Sequence, residues 1–588
     1  MYLRNFIKNL DKKYKNISFS GIAFDSEKIK KNNIFFAIKG NRFDGNNFIT
    51  DAIKKGAKII VSEKKINYQD QNITYLQSKN PRKLLAEFSY KLIKKKVKKL
   101  IAVTGTNGKS SVADFYYQIL NLSKKKTASI GTIGVKSKNK KIRLENTTLD
   151  PIELCKIINN LISKKIDHII LEASSHGLKQ NRLDGLSFDT GIFTNLSHDH
   201  LDYHSSLKDY FNSKLYLFKS LVKKKGLIIS DSTIPQHDRI KEISRKKKIK
   251  VETIFGKNSD LELINHLYRD EYQILYVKYK SKIIRFRLNL IGKVQIKNIM
   301  MAILAAVNSN LNMKNIVKII DKVKSVEGRF EKIGLLKNNS KVILDYAHTP
   351  DALKTVLKNI KEQFPLSKIC LVFGCGGDRD KFKRIKMGEI ASKYAHKIYL
   401  TDDNPRNESP QAIRKQIKKG INHKNFYEVA ERKVAIFNCI KNLDTGDIAI
   451  ISGKGHEETQ DYKGKKFFFS DRKEILKAIS KKNKTLFADI RLNIIQEKTK
   501  ILKKNLKINK ARINSKEIKK NDIFFAIKGK KNDGNKFISE AFKKKASIAV
   551  VNKIEKKINI SRQIKSKDSL KFLTKSSELY RENIKTKI

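Results

Sequence analysis

The stretch Lys99–Ser111, KLIAVTGTNGKSS, constrains the fold of this chain more than any other. Leu100 to Val103 is an apolar run of the buried-strand type. It breaks at Thr104-Gly105-Thr106-Asn107-Gly108, and Lys109, Ser110 and Ser111 then open a helical pattern that runs to Leu120. Strand, glycine-rich turn, Lys-Ser and helix together make a phosphate cradle. The glycines let backbone N–H groups turn toward an anion, and a helix N-terminus favours negative charge. Lys109 would reach the outer phosphates of ATP, and Ser110 would ligate Mg²⁺. The strict form of the pattern begins on a glycine, where this chain has Val103. A strand feeding such a loop belongs to a parallel sheet flanked by helices, so the expected class is α/β.

The chain has 588 residues, of which 40% are hydrophobic, enough for several buried cores. Its length fits about three or four domains. The formal net charge of +69 invites a nucleic-acid reading. The lysines, however, are spread along the whole chain among Ile and Asn instead of clustering with stacking aromatics. That pattern describes solvated faces, with a general attraction to anionic substrates. Cys155, Cys370, Cys375 and Cys439 form no CxxC pair and suit a reducing compartment. No apolar run approaches membrane-spanning length, and the N-terminal MYLRNFIKNLDKKYKN lacks an apolar leader core. A soluble cytoplasmic protein without a membrane span or a nucleic-acid partner is expected.

Read in order, residues 1–97 alternate short strands and helices. Ile34–Ile38 and Lys58–Val61 read as strands, Phe48–Lys55 as a helix, and Gly40 and Asp44-Gly45 as turns. Residues 98–328 carry the phosphate loop. There Ile169–Leu171 is a buried strand with Glu172 at its carboxyl end, the end that faces a nucleotide in a parallel sheet. Glu172 could hold a Mg²⁺ shared with Ser110. Downstream, His198, His200 and His204 cluster with Asp199 and Asp202. A zinc hydrolase would use such residues, but the spacing fits neither HExxH nor a Cys/His finger. Lys214 falls in the helical stretch that follows. Residues 329–485 are again α/β. The loop GCGG after Cys370–Phe373 is not GxGxxG and has no evident acidic ribose partner, which speaks against NAD. Loops after apolar strands there carry Arg379, Asn404, Arg406 and Glu457, a set suited to a zwitterionic ligand. A lysine-rich linker is expected over 486–505. After it, residues 506–588 return to the start of the chain: Ile513–Val551 repeats Phe24 onward without a gap, with IKKN, IFFAIKG and DGN unchanged.

TGTNGKSS, LEASSHGL, LSHDHLDYH, GRFE, LDYAHTPDAL, FGCGGDRDK, DNPR and GKGHE stand in one order along residues 1–485. In that order and spacing the chain resembles the Mur ligase family of peptidoglycan synthesis. DNPR and GKGHE resemble the form that adds meso-diaminopimelate instead of lysine. The resemblance implies a UDP-substrate domain over 1–97, a central ATPase over 98–328 and a Rossmann-like amino-acid domain over 329–485. It implies ATP contacts at Gly105, Thr106, Asn107, Gly108, Lys109, Ser110, Ser111, Asn298 and Arg329. UDP-substrate contacts would be Ser26, Asn146, Thr147, Thr148, Ser174, Gln180 and Arg182, and diaminopimelate contacts Arg379, Asp403, Asn404, Pro405, Arg406, Gly453 and Glu457. Lys109, Glu172, His200 and Lys214 would be catalytic. Ser110, Glu172, His200 and a carbamylated Lys214 would hold Mg²⁺. Two positions depart from the pattern: Glu27, where the family has DSR, and Gln295 in GKVQIKN, where FNxxN is usual. Residues 506–588 resemble the first domain of the family member that adds D-Ala-D-Ala, without its ATPase.

The implied activity is an ATP-dependent amide ligase, expected as a monomer, that adds meso-diaminopimelate to UDP-N-acetylmuramoyl-L-alanyl-D-glutamate through an acyl phosphate. Folylpolyglutamate synthase shares the ATPase core, but the DNPR and GKGHE loops argue against it. A basic nucleic-acid-binding ATPase is the rival of a different class.

Overall fold

A computed structural model describes residues 1–7, 10–40, 43–64, 72–138, 140–200, 203–269, 272–484, 509–529 and 532–584. Asp202 and the linker expected over 486–505 lie outside the described residues. The chain divides into two compact units, Met1–Phe330 and Glu331–Ile588. No helix among the described residues is long and apolar enough to cross a membrane.

The first unit opens with a four-stranded parallel sheet of Gly21–Ala23, Asn33–Phe36, Ala57–Ser62 and Thr74–Gln77. Asn33–Phe36 is buried along its whole length, which is why it reads as a continuous apolar run. The helix expected over Phe48–Lys55 starts earlier and in two parts, a 3-10 turn Gly45–Phe48 and an α-helix Ile49–Lys54. The cause is Asp44, whose carboxylate accepts from the Asn46 N–H at 3.0 Å and begins the turn.

An eleven-stranded sheet follows, with the phosphate-loop strand Lys99–Thr104 near its middle. That strand lies between His168–Glu172 and Phe188–Phe193, parallel to both, and Thr127–Gly131 runs parallel beyond His168–Glu172. The carboxyl ends of these strands therefore deliver the phosphate loop, Glu172, Thr194 and Thr132 to one edge of the sheet. The helices Lys109–Leu122 and Lys293–Val307 pack together in one core, through Phe115, Ile119, Ile296, Ile299 and Ile303 among others. Each such side chain taken out of water contributes about 1.5–3 kcal/mol. The far edge is an antiparallel extension, Leu261–Tyr268, Gln273–Tyr279 and Lys282–Leu288.

In the second unit, six strands run in the order Glu331–Lys332, Lys341–Asp345, Ile448–Ser452, Ile369–Phe373, Lys397–Leu400 and Phe426–Glu428. All neighbours are parallel except the first pair. A hairpin of Thr459–Tyr462 and Lys465–Phe468 is separate.

Nearer the end of the chain, Ala511–Arg512, Ile523–Phe525, Ile548–Val551 and Gln563–Lys565 form a second four-stranded parallel sheet. It reproduces the register of the first. Ile22 faces Ile34 as Ala511 faces Ile523, and Ile34 faces Ile59 as Ile523 faces Ile548. The left-handed residues recur too, Asn32 at φ 65° and Asn521 at φ 69°. The match slips by one residue only at the fourth strand, where Ile60 faces Tyr75 but Ala549 faces Gln563.

Candidate active site

The phosphate loop is built by its strand and clasped from the side. Gly108 takes φ 88° at the start of the helix Lys109–Leu122, and a Cβ there would sit 2.5 Å from Asn298 Oδ1, so the position requires glycine. Lys109 Nζ donates to the carbonyls of Gly105 at 2.9 Å and Thr106 at 2.8 Å, which holds its charge over the loop. Burial lowers the Lys109 pKa, and Glu172 and Asp199 oppose that shift. The clasp is Thr194–Ser197, just past the strand Phe188–Phe193. The Asn107 N–H donates to Asn195 Oδ1 at 3.0 Å, and Asn195 Nδ2 donates back to the Asn107 carbonyl at 3.1 Å. Thr194 Oγ1 donates to the same carbonyl at 2.6 Å, and the Ser197 N–H donates to Thr106 Oγ1 at 3.0 Å. Sequence reasoning missed this clasp because it weighed that stretch for its histidines. The strand-end rule that picked out Glu172 would have found it.

Ser110 and Glu172 meet below the loop. The Ser110 hydroxyl donates to Glu172 Oε2 at 3.0 Å, and both side chains are buried. Glu172 also accepts from Thr132, from its N–H at 2.9 Å and its hydroxyl at 3.1 Å. A carboxylate and a hydroxyl side by side at a phosphate loop are the hard oxygen donors that Mg²⁺ takes, so this pair fits the ion. Among the described residues, no three His, Cys, Asp or Glu gather as a self-sufficient metal cluster. The pair would share its ion with phosphate oxygens.

Lys214 lies in the helix Leu207–Tyr216, whose start Ser206 caps by accepting from the Asp209 N–H. Its side chain is buried, and Nζ donates to the Gly105 carbonyl at 2.8 Å, the oxygen that Lys109 also uses. Burial, and then the neighbouring Lys109 charge, lower the Lys214 pKa well below its ordinary value, with Asp199 opposing. The same two causes favour the neutral amine over the ammonium at this position. Tyr210 links this lysine to His200: Nζ stands 4.1 Å over its ring, and the His200 ring is 6.0 Å from it. His200 sits at φ 54° and is edge-on to His176 at 4.9 Å, while His176 stacks on Tyr203 at 3.9 Å. His204 is buried against Asp209 at 3.3 Å, and His198 is exposed.

The expected UDP-substrate residues fall into two groups. Thr147, Thr148, Ser174, Gln180 and Arg182 are joined. Arg182 Nη1 donates to the Thr148 carbonyl at 2.5 Å, and its Nε donates to Gln180 Oε1 at 3.0 Å. The Ser174 N–H donates to Thr148 Oγ1 at 3.0 Å. Asn146 is exposed beside them. Ser26 is apart, buried at the start of a 3-10 turn in the first sheet domain, where Asp25 accepts from the Glu27 N–H at 3.0 Å. Glu27 is exposed, and its neighbour Lys28 pairs with Asp25 at 3.5 Å. The other departure, Gln295, has a visible task. Its Oε1 accepts from Asn298 Nδ2 at 3.0 Å, and its Nε2 lies 3.4 Å from the Arg329 carbonyl, tying two expected ATP residues together.

In the second unit the loops after Asp345, Phe373, Leu400 and Ser452 carry the expected amino-acid site. Lys454, fully buried, donates to Asn404 Oδ1 at 2.9 Å and to Glu457 Oε2 at 3.3 Å. Asn404 Nδ2 in turn donates to Glu457 Oε2 at 3.0 Å. Arg406 Nη1 donates to the Gly377 carbonyl at 2.6 Å, and its backbone is pinned between Asp461 and Lys463. Burial raises the Asp403 pKa, but Lys454, Arg432 and His348 outweigh it and hold the carboxyl below its ordinary range. Gly453 lies against Asp403, and Pro405 is buried. Arg379 is exposed. Lys454 is a residue that sequence reasoning missed, since a lysine in this chain carries little signal by itself.

Models of known protein families match the chain in order. A Mur ligase middle domain model matches residues 103–306, a Mur ligase glutamate ligase domain model matches 328–455, and a Mur ligase family catalytic domain model matches both 18–94 and 507–576. The UDP-N-acetylmuramoyl-L-alanyl-D-glutamate--2,6-diaminopimelate ligase of Rickettsia montanensis is 39% identical over 478 residues, covering 80% of this chain and 98% of its own. The enzyme of that name from Rickettsia rickettsii is 39% identical over 479 residues, with the same coverage of 80% and 98%. A solved structure of a ligase of this name superposes with a TM-score of 0.62 at 28% identity, covering 82% of this chain and 98% of its own. With three family models in the expected order and relatives of this identity spanned nearly end to end, the chain belongs to the Mur ligase family.

Proposed function

We propose that this chain joins meso-diaminopimelate to UDP-N-acetylmuramoyl-L-alanyl-D-glutamate, with ATP cleaved to ADP and phosphate. The observation that carries the reading is the buried Ser110–Glu172 pair under the phosphate loop, in a chain that spans 98% of a relative bearing that activity in its name. A carboxylate is a poor electrophile, so the γ-carboxylate of the D-glutamyl residue must first be phosphorylated. Lys109 and the backbone N–H groups of Gly108–Ser111 bind and orient the transferring phosphate, a step that depends on positioning and positive charge, and the rest of the loop, Gly105–Asn107, shapes the cradle. One Mg²⁺ would be held by Ser110 and Glu172 and a second by His200 with carbamylated Lys214, and both would neutralise charge on the phosphate oxygens. Carbamylation turns the Lys214 amine from a rival of Lys109 into an anionic oxygen donor. Asn298 and Arg329 hold the nucleotide. Asn146, Thr147, Thr148, Ser174, Gln180 and Arg182 hold the dipeptide end of the UDP-substrate, and Ser26 its uridine end.

The amine of diaminopimelate attacks the acyl phosphate, the C–N bond forms, and phosphate leaves. Arg406 takes the distal carboxylate as a forked pair of charge-assisted hydrogen bonds, Glu457 takes the distal ammonium, and Asn404 and Gly453 add polar contacts, with Arg379, Asp403 and Pro405 completing the loops. The functional divisions are 1–97, 98–328 and 329–485, with 506–588 as a partial second UDP-substrate-type domain. The enzyme acts as a cytoplasmic monomer. The test is ADP release with the UDP-muramoyl dipeptide, comparing diaminopimelate with lysine. Release stimulated by DNA and indifferent to the dipeptide would refute the reading.

A further inference from the structure

Thr132 stands one residue past the strand Thr127–Gly131 and has no part in the reading above. Its N–H donates to Glu172 Oε1 at 2.9 Å, its Oγ1 lies 3.1 Å from Glu172 Oε2, and the same Oγ1 is 2.9 Å from Thr147 Oγ1. The Thr132 hydroxyl donates to Glu172, and its single proton is thereby used, so Thr132 accepts from Thr147. The hydroxyl chain then runs one way, Thr147 to Thr132 to Glu172. Gly131 makes room for it: a Cβ there would stand 2.2 Å from Glu172 Oε1. The other end of Glu172 is held by the next residue of the same strip, since Thr148 Oγ1 donates to the Glu172 carbonyl at 2.9 Å.

We infer that Thr132 is a positioning residue that fixes the Glu172 carboxylate for the metal and couples it to the substrate strip Thr147–Thr148. The inference rests on the metal and substrate assignments proposed above. When substrate engages Thr147, the hydroxyl that donates to Thr132 is redirected, and the change reaches Glu172 through one hydrogen bond. Partners that orient a metal ligand are worth roughly tenfold or more in metal affinity.

The experiment is a Mn²⁺ titration of the full chain with ADP, read by electron paramagnetic resonance, with and without UDP-N-acetylmuramoyl-L-alanyl-D-glutamate. In the unaltered chain the dipeptide substrate should change Mn²⁺ affinity. Thr132→Val, which keeps the backbone N–H and the shape, should weaken Mn²⁺ binding about tenfold and abolish the substrate's effect. Thr132→Ser should restore both. Thr147→Val breaks the chain at its other end and should abolish the substrate's effect while costing less Mn²⁺ affinity, which provides the test if Thr132→Val does not fold. Unaltered Mn²⁺ binding with an intact substrate effect in Thr132→Val, or no substrate effect in the unaltered chain, overturns the inference. Glu172→Gln separates the two levels. If it binds Mn²⁺ normally, the metal assignment itself fails; if it loses Mn²⁺ while Thr132→Val does not, only the role of Thr132 fails.

Discussion

Arg406→Ala should remove most activity with meso-diaminopimelate and narrow its advantage over L-lysine. The two amino acids share the reacting amine and differ by the distal carboxylate. In the structure the root of Arg406 is fixed by main-chain bonds, from its N–H to the Asp461 carbonyl at 3.0 Å and from the Lys463 N–H to its own carbonyl at 2.7 Å. Truncation therefore takes away the guanidinium without releasing the loop. One nitrogen, Nη1, is committed to the Gly377 carbonyl at 2.6 Å, which aims the planar group and leaves its other edge for a ligand. A hydrogen bond to a charged group contributes about 1.5–3 kcal/mol, so a forked pair is worth roughly 3 kcal/mol, or about a hundredfold in kcat/KM. Lysine, which offers the ligand-facing edge of the guanidinium no carboxylate, should be disfavoured in the unaltered chain by about that factor. The assay is kcat/KM for both amino acids on the unaltered chain and on Arg406→Ala. Equal values in the unaltered chain, or an unchanged ratio in the variant, would refute the reasoning.

Lys109→Ala should lower ATP-dependent turnover by at least about a hundredfold, because the phosphate loses its nearest cation; steady-state ADP release checks this, and near-normal turnover sinks the phosphate-loop assignment. Lys214→Ala should be nearly inactive and partly rescued by acetate, whose oxygens replace those of the carbamate. Burial and Lys109 disfavour the Lys214 ammonium, so its pKa falls from the ordinary 10.5 and the free amine persists at lower pH than in other lysines. A ¹³C carbamate signal from labelled bicarbonate should accordingly persist to lower pH than for an exposed lysine and vanish in Lys214→Ala; its absence from an active enzyme would contradict the proposal. A chain ending at Ile490 should retain diaminopimelate addition, since the copy beyond it repeats the first sheet domain without a phosphate loop; a folded but inactive truncation would contradict this.

Much of this fold was legible because its strands are buried on both faces. Lys99–Thr104, His168–Glu172 and Ile448–Ser452 stand out as short apolar runs ending in polar residues, and in a parallel sheet those ends collect on one side. The repeat was legible down to register, apart from the slip at Gln563. The antiparallel edge over Leu261–Leu288 was not read as such. Its outward positions include Ile264 and Ile283, 46% and 66% exposed, which blur the alternation of a one-sided sheet. The side-chain clasps were hidden for another reason. Asn195 on Asn107, Gln295 on Asn298 and Lys454 on Asn404 join polar residues whose sequence neighbourhood looks like any turn or solvated helix. Such pairs leave no periodicity and show only once the strands are in place.

The most direct test of the account is the dependence of ADP release on its three substrates. With ATP and UDP-N-acetylmuramoyl-L-alanyl-D-glutamate, release should require meso-diaminopimelate and yield one tripeptide product per ADP. Release that is independent of the UDP-substrate, or that proceeds equally with lysine, would contradict it.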